Sequence, residues 1–138
     1  MNIDIDFKLT RPSRDERPPF VIQVKMCTTA GIVGIMGPSG SGKTSLLDAL
    51  AGIAPNVTGH IRLGGNIILD TAKGVNVAVR ERRMGYVFQD AQLFPHLSVE
   101  ENLRFGTKCR SEPNTDWDPI VSMLRLESLL KANSRELS

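Results

Sequence analysis

Cysteine is scarce in this chain. Cys27 and Cys109 are the only two, and they stand far apart. That excludes a disulfide framework and reads as a reduced, cytosolic pair. A charge of one sign is missing too: 17 Lys and Arg face 15 Asp and Glu, a net +2. So small an excess gives no electrostatic argument for nucleic acid or for an anionic membrane. Long apolar runs are absent, since no window approaches the ~18 residues a membrane-spanning helix needs. The first ten residues, MNIDIDFKLT, carry two aspartates and no basic stretch before an apolar core, unlike a secretory signal. There is no internal repeat and no low-complexity segment. What remains is one globular domain at most: 138 residues, 41% apolar and 23% charged.

Ile3, Ile5, Phe7 and Leu9 alternate with Asp4, Asp6 and Lys8, the period of a half-buried strand. After the proline-rich loop TRPSRDERPP, a second alternation over Phe20, Ile22, Val24 and Met26 predicts a strand antiparallel to the first, with Phe20 pointing at the core. GIVGIM, Gly31 to Met36, is instead a short continuous apolar run and predicts a strand buried on both faces of a parallel sheet. TSLLDALAG places Leu46, Leu47 and Leu50 at helical spacing, with Gly52 as the stop. HIRLGGNIILD predicts a hairpin turning at Gly64-Gly65, and MGYVF (Met84 to Phe88) a further strand. Ser98 and Glu101 form a capping box opening a helix to about Gly106, and Asp118-Pro119 opens another over Ile120 to Leu130.

The chemistry concentrates in GPSGSGKT, Gly37 to Thr44, which fits G-x-x-x-x-G-K-[ST] between a predicted buried strand and a helix. Gly37, Gly40 and Gly42 let the main chain bend around an anion, so that successive N–H groups converge on it. The helix that follows adds its unpaired N–H groups and the positive end of its dipole. Lys43 supplies a point charge for β- and γ-phosphates, and the Thr44 hydroxyl suits Mg²⁺, a cation that prefers water and phosphate oxygens. The pattern points to nucleotide phosphates without choosing among kinases, GTPases and transport ATPases.

The stretch RERRMGYVFQDAQLFPHLSVEENLRFG, Arg80 to Gly106, makes that choice. With it the chain resembles the ATP-binding subunits of ABC transporters. They carry a strand ending in glutamine, an aromatic-proline segment, and a helix opening S-V-x-x-N. The wording GYVFQDAQLFPHLSV looks most like the ATPase of molybdate-type importers. The resemblance implies an α/β fold: an incomplete P-loop NTPase core with an antiparallel β part at the N-terminus and the start of a helical subdomain. Residues 1–90 would hold the β-rich and P-loop part, and 91–138 the glutamine-loop segment with a partial helical subdomain. It implies nucleotide binding by Gly37, Pro38, Ser39, Gly40, Ser41, Gly42, Lys43, Thr44, Ser45 and Gln89, with Thr44 and Gln89 serving Mg²⁺. Gln89 would also position the attacking water.

The same resemblance implies ATP and Mg²⁺ as cofactors. The partners would be a membrane-spanning permease meeting Gln89 to His96, and a second ATP-binding subunit. The place would be the cytoplasmic, inner face of the membrane. Phe94, Pro95 and His96 would lie at the docking surface, and His96 has no second ligand at metal spacing. His60 reads as a surface residue. Arg80, Arg82 and Arg83 read as a solvated basic cluster rather than a nucleic-acid contact.

Two departures stand out. The family stacks adenine on an aromatic upstream of the glycine loop, and RPSRDERPP has none. The chain's last residues, SRELS, resemble the approach to the signature loop L-S-G-G. This leads to the expectation of a fragment without the Walker B aspartate or catalytic glutamate, binding nucleotide but turning over little. A catalytically silent nucleotide-binding module is the alternative.

Overall fold

The computed structural model describes residues 2–12, 18–90, 92–106 and 117–134. They fall into two compact units, Met1–Tyr86 and Val87–Ser138.

The first unit is built on a five-stranded antiparallel sheet in the order β2-β1-β3-β4-β5. β1 (Ile3–Arg11) lies between β2 (Phe20–Thr28) and β3 (Val57–Leu63). Ile5 stands opposite Met26 on one side and Ile61 on the other. β4 (Asn66–Asp70) returns along β3 through a turn in which Gly64 and Gly65 both have positive φ, and β5 (Val75–Asn76) closes the far edge. The alternation read from the sequence sorts the two faces. Ile5, Phe7, Leu9 and Ile61 are fully buried, and Lys8 is exposed. Burying each such side chain is worth ~1.5–3 kcal/mol, which is why register here is not negotiable: a one-residue slip would turn the whole set outward.

Helix α1 (Lys43–Ala51) covers the apolar face, with Ala49 in the core and Leu46 and Leu50 packed against it; Leu47 points outward. The helix ends where expected, at Gly52, whose φ of 81° is left-handed.

Two expected strands are not strands. GIVGIM runs without a strand partner among the described residues, and Ile32 and Met36 are 93% and 95% exposed. MGYVF likewise forms no strand among the described residues, and Met84 is 40% exposed. An apolar run states which surroundings its side chains suit. A strand also requires a neighbour for its N–H and C=O groups.

In the second unit, α2 (Val99–Arg104) opens with the expected box: the Ser98 side chain accepts from the Glu101 N–H, and the Glu101 carboxylate accepts from the Ser98 N–H. Main-chain bonds from Val99 to Ala132 and from Glu100 to Leu130 tie its start to the 130–133 segment. α3 (Trp117–Met123) is shorter than the expected Ile120–Leu130. Arg125 takes a φ of 54° and the Leu126 N–H closes on the Val121 carbonyl at 3.0 Å, ending the helix with no glycine to announce it. Cys109 and residues 135–138 of the SRELS stretch lie outside the described residues, and Cys27 is an exposed free thiol.

Candidate phosphate-binding site

The site starts where the sheet gives out. Beyond β2 the chain runs to Gly37 without strand pairing among the described residues, then turns: the Ser41 N–H donates to the Pro38 carbonyl at 3.3 Å, and Gly40 and Gly42 take φ of 78° and 93°. Gly42 is the N-cap of α1, and its carbonyl accepts the first helical bond from Leu46 at 2.9 Å. Glycine is required there twice over. The backbone is left-handed, and a Cβ would run into Ile22 Cδ1 and stand 3.5 Å from Phe20 Cζ.

A glycine N-cap has no side chain to satisfy the first-turn N–H groups. No capping bond replaces it, and no acidic residue sits in that turn. The helix therefore presents open donors and the positive end of its dipole at an exposed loop. Lys43 Nζ donates to the Gly37 carbonyl at 2.9 Å and the Pro38 carbonyl at 2.7 Å, drawing its ammonium back across the loop. An ammonium has three donors, so an arriving anion can be met without breaking both bonds. Thr44 is exposed beside it, and Ser45 is buried under the turn at 6%. The donor set is all N–H, ammonium and hydroxyl, which fits a polyphosphate. Gly37 to Ser45 thus form one continuous constellation.

Phe20 departs from the reading that hid it in the core. It shares the core-facing side of β2 but sits at the rim, 44% exposed, against Gly42. An aromatic face therefore flanks the phosphate loop after all.

Arg82 departs further. It is not part of a solvated cluster: only 8% exposed, it donates to the carbonyls of Val77 (2.9 Å), Ala49 (3.2 Å) and Leu50 (2.7 Å) and to Asn76 Oδ1 (3.0 Å). It caps the C-terminal end of α1, where a cation also suits the dipole. Burial pushes its pKa down from the usual arginine value. Gly52 is shaped to this contact, since a Cβ would stand 2.7 Å from Arg82 Nε. Nothing in RERR distinguishes Arg82 from its neighbours; only the carbonyls it meets do.

Asp48, one turn into α1 beyond Thr44, accepts from the Tyr86 hydroxyl at 2.7 Å and from Arg11 at 3.3 Å. The hydrogen bond to Asp48, with desolvation and the carboxylate's charge, raises the Tyr86 pKa above the ordinary 10.0. His60 is half-buried and meets Asp4 at 3.3 Å, at a cavity of about 380 Å³ whose Asp70 is paired with Lys73.

In the second unit Gln89 is exposed on a bend. Phe94, Pro95 and His96 are exposed as expected, with the Phe94 ring 4.2 Å from Phe105 and edge-on to His96 at 6.1 Å. The loop that carries them is held by Asn102, whose side chain accepts from the Phe94 N–H at 2.7 Å and donates to the Phe94, Leu97 and Ser98 carbonyls. The asparagine of S-V-x-x-N is thus a loop clamp, a role its motif position alone does not reveal.

Residues 23–138 match the ABC transporter family. The chain belongs to that family. The matched range takes in the phosphate loop, Gln89 and the Asn102-clamped loop, while β1 precedes it. The chain is 46% identical over 110 residues to the molybdenum import ATP-binding protein ModC of Albidiferax ferrireducens, covering 78% of this chain and 30% of the relative. It is 38% identical over 127 residues to that of Paramagnetospirillum magneticum, covering 91% and 35%. Against that of Escherichia coli O6:K15:H31 it is 46% identical over 100 residues, covering 72% and 28%. The chain spans about a third of the length of these family members. Among the described residues no helix is long and apolar enough to cross a membrane.

Proposed function

We propose that this chain binds ATP with Mg²⁺ and forms the phosphate-binding part of an ATPase that drives import of molybdate or a similar oxyanion. The observation that carries the reading is the uncapped N-terminus of α1, with Lys43 folded over an exposed glycine loop and no acidic residue in the helix's first turn. The first-turn N–H groups and Lys43 hold the β- and γ-phosphates. Thr44 and Gln89 serve the metal, which when bound neutralises charge between those phosphates. Phe20, exposed beside Gly42, offers the base an apolar face, a kind of contact worth ~1–3 kcal/mol. The substrate class comes from the relatives, which are named for molybdenum import.

Exposed Leu93 and Phe94 on the loop clamped by Asn102, with Phe105 at the end of α2 against Phe94, suit a membrane-spanning permease, which would place the chain at the inner face of the membrane. A second ATP-binding subunit completes the assembly in this reading. The test is binding of methylanthraniloyl-ATP followed by fluorescence anisotropy. Lys43→Ala is expected to weaken it at least tenfold and Phe20→Ala about fivefold. Unchanged affinity in Lys43→Ala would refute the site.

A further inference from the structure

We propose that the cavity at the C-terminal end of α1 is a binding site for a small oxyanion of the phosphate or sulfate class, with Arg82 as its cation. The cavity holds about 160 Å³, and Gly52, Asn56, Asn76 and Arg82 are among the residues that line it. Among the described residues no acid lines it, and Arg82 is its one charged side chain. The larger cavity beside His60 differs: there Asp4 and Asp70 stand against Arg62 and Lys73, so the charge is balanced within the lining.

The charge of Arg82 is what calls for a ligand. The residue is 8% exposed, and a buried charge is costly unless an opposite one meets it. Its hydrogen-bond partners are all neutral: the Val77, Ala49 and Leu50 carbonyls and Asn76 Oδ1. Burial alone lowers its pKa, with no neighbouring charge contributing. The C-terminus of α1 supplies only about half of a negative elementary charge. Roughly half of the positive charge is therefore left over.

Donors are left over as well. A guanidinium carries five N–H groups. One bond from Nε, two from Nη1 and one from Nη2 leave a further N–H on Nη2. Because a guanidinium can only donate, it meets the oxygen of Asn76, and the Asn76 Nδ2 group lies on the other side of that amide. Neither this NH₂ nor the Asn56 side chain has an acceptor among the described residues. The Asn56 backbone is fixed beside the cavity, its carbonyl accepting from the Thr10 N–H at 3.2 Å. One guanidinium and two carboxamides thus surround a space well below the ~300–1,000 Å³ of a site for a drug-sized ligand. A cation would be repelled and an apolar ligand would leave the charge unmet. The nine residues of α1 set this cavity about 13 Å from the phosphate loop at the other end of the helix.

Inorganic phosphate is the probe, and the glycine loop must not answer for the cavity. The urea midpoint of the 138-residue chain is therefore followed against phosphate, at an ionic strength held constant with chloride, in the parent and in Lys43→Ala. A ligand of the folded chain raises the midpoint along a saturating curve, whereas a salt that is merely excluded from the surface raises it linearly. Saturation is expected in both proteins, with half the effect at about 1 mM in Lys43→Ala. The cavity variants are made in the Lys43→Ala background. Asn76→Asp keeps an acceptor for Arg82 and adds the carboxylate that the cavity lacks. Its midpoint in chloride should equal or exceed that of Lys43→Ala, and its phosphate affinity should fall about tenfold. Asn56→Asp, at a left-handed φ of 57° that aspartate tolerates, should also weaken phosphate about tenfold by repulsion.

A linear response, a response undiminished in Asn76→Asp, or one present in the parent and lost in Lys43→Ala would overturn the cavity site. None of these would touch the nucleotide reading, which stands on the opposite end of α1.

Discussion

Gly42 and Arg82 sit at opposite ends of α1, and each is held by contacts that no neighbouring residue could make. Gly42→Ala would put a methyl group into Ile22 at a left-handed φ. Strain of that kind costs about 2 kcal/mol, so the urea midpoint of the first unit should fall and nucleotide affinity should fall with it. Arg82→Ala would leave the Ala49, Leu50 and Val77 carbonyls and the Asn76 amide oxygen without their donor. Hydrogen bonds to a charged group contribute ~1.5–3 kcal/mol, so a loss of about 3 kcal/mol is expected in the same urea experiment. Arg82→Lys should recover little, because an ammonium cannot spread over four acceptors as the guanidinium fork does. Surface Arg80, 86% exposed at its side chain, serves as the contrast and should be neutral on replacement.

At the scale of elements, two short segments owe their order to side-chain bonds. α2 has only six residues, too few for intrinsic helix stability. Its Ser98–Glu101 box and the Asn102 clamp hold it, and Ser98→Ala should cost about 1 kcal/mol. The readout is faster amide exchange at Glu101 and Asn102. The segment ending at Tyr86 is held to α1 through Asp48, and here pH supplies a clean probe because Tyr86 is the only tyrosine. Its pKa is raised above 10.0, first by the hydrogen bond to Asp48. A group raised in the folded state contributes stability that is complete below the unfolded value and disappears as pH climbs through the folded one. Phenolate absorbance at 295 nm should therefore titrate above pH 10 in the folded chain and return to about 10 in Asp48→Ala or in urea.

At the scale of the molecule, the first unit has a well-buried core and an exposed apolar segment. The sheet and α1 bury Ile5, Phe7, Leu9 and Ile61 completely, while Ile32 and Met36 stand almost fully in water. Apolar surface of that kind drives association. The 138-residue polypeptide is expected to bind an anilinonaphthalene dye and to run on sizing columns larger than a monomer in a concentration-dependent way. Ile32→Lys with Met36→Lys should reduce both effects without altering the urea midpoint of the β1–β3 core.

Local chemistry was legible in the residues themselves. The Gly37–Thr44 loop, the Gly52 stop, the Gly64-Gly65 turn, the Ser98 box and the alternation of β1 follow from steric freedom, hydrogen-bonding capacity and period, all of which a short window contains. What depended on partners was not legible. GIVGIM has the composition of a buried strand but no strand neighbour among the described residues, RERR does not say which arginine is buried, and the α3 stop at Arg125 carries no sequence signal. Asp48 and Tyr86 are thirty-eight positions apart and become a pair only because the first unit folds them together. Sequence by itself determined where the backbone can bend around an anion. Tertiary structure alone decided which side chains hold that bend in place, because a hydrogen bond needs its acceptor within about 3 Å and distance along the chain says nothing about it.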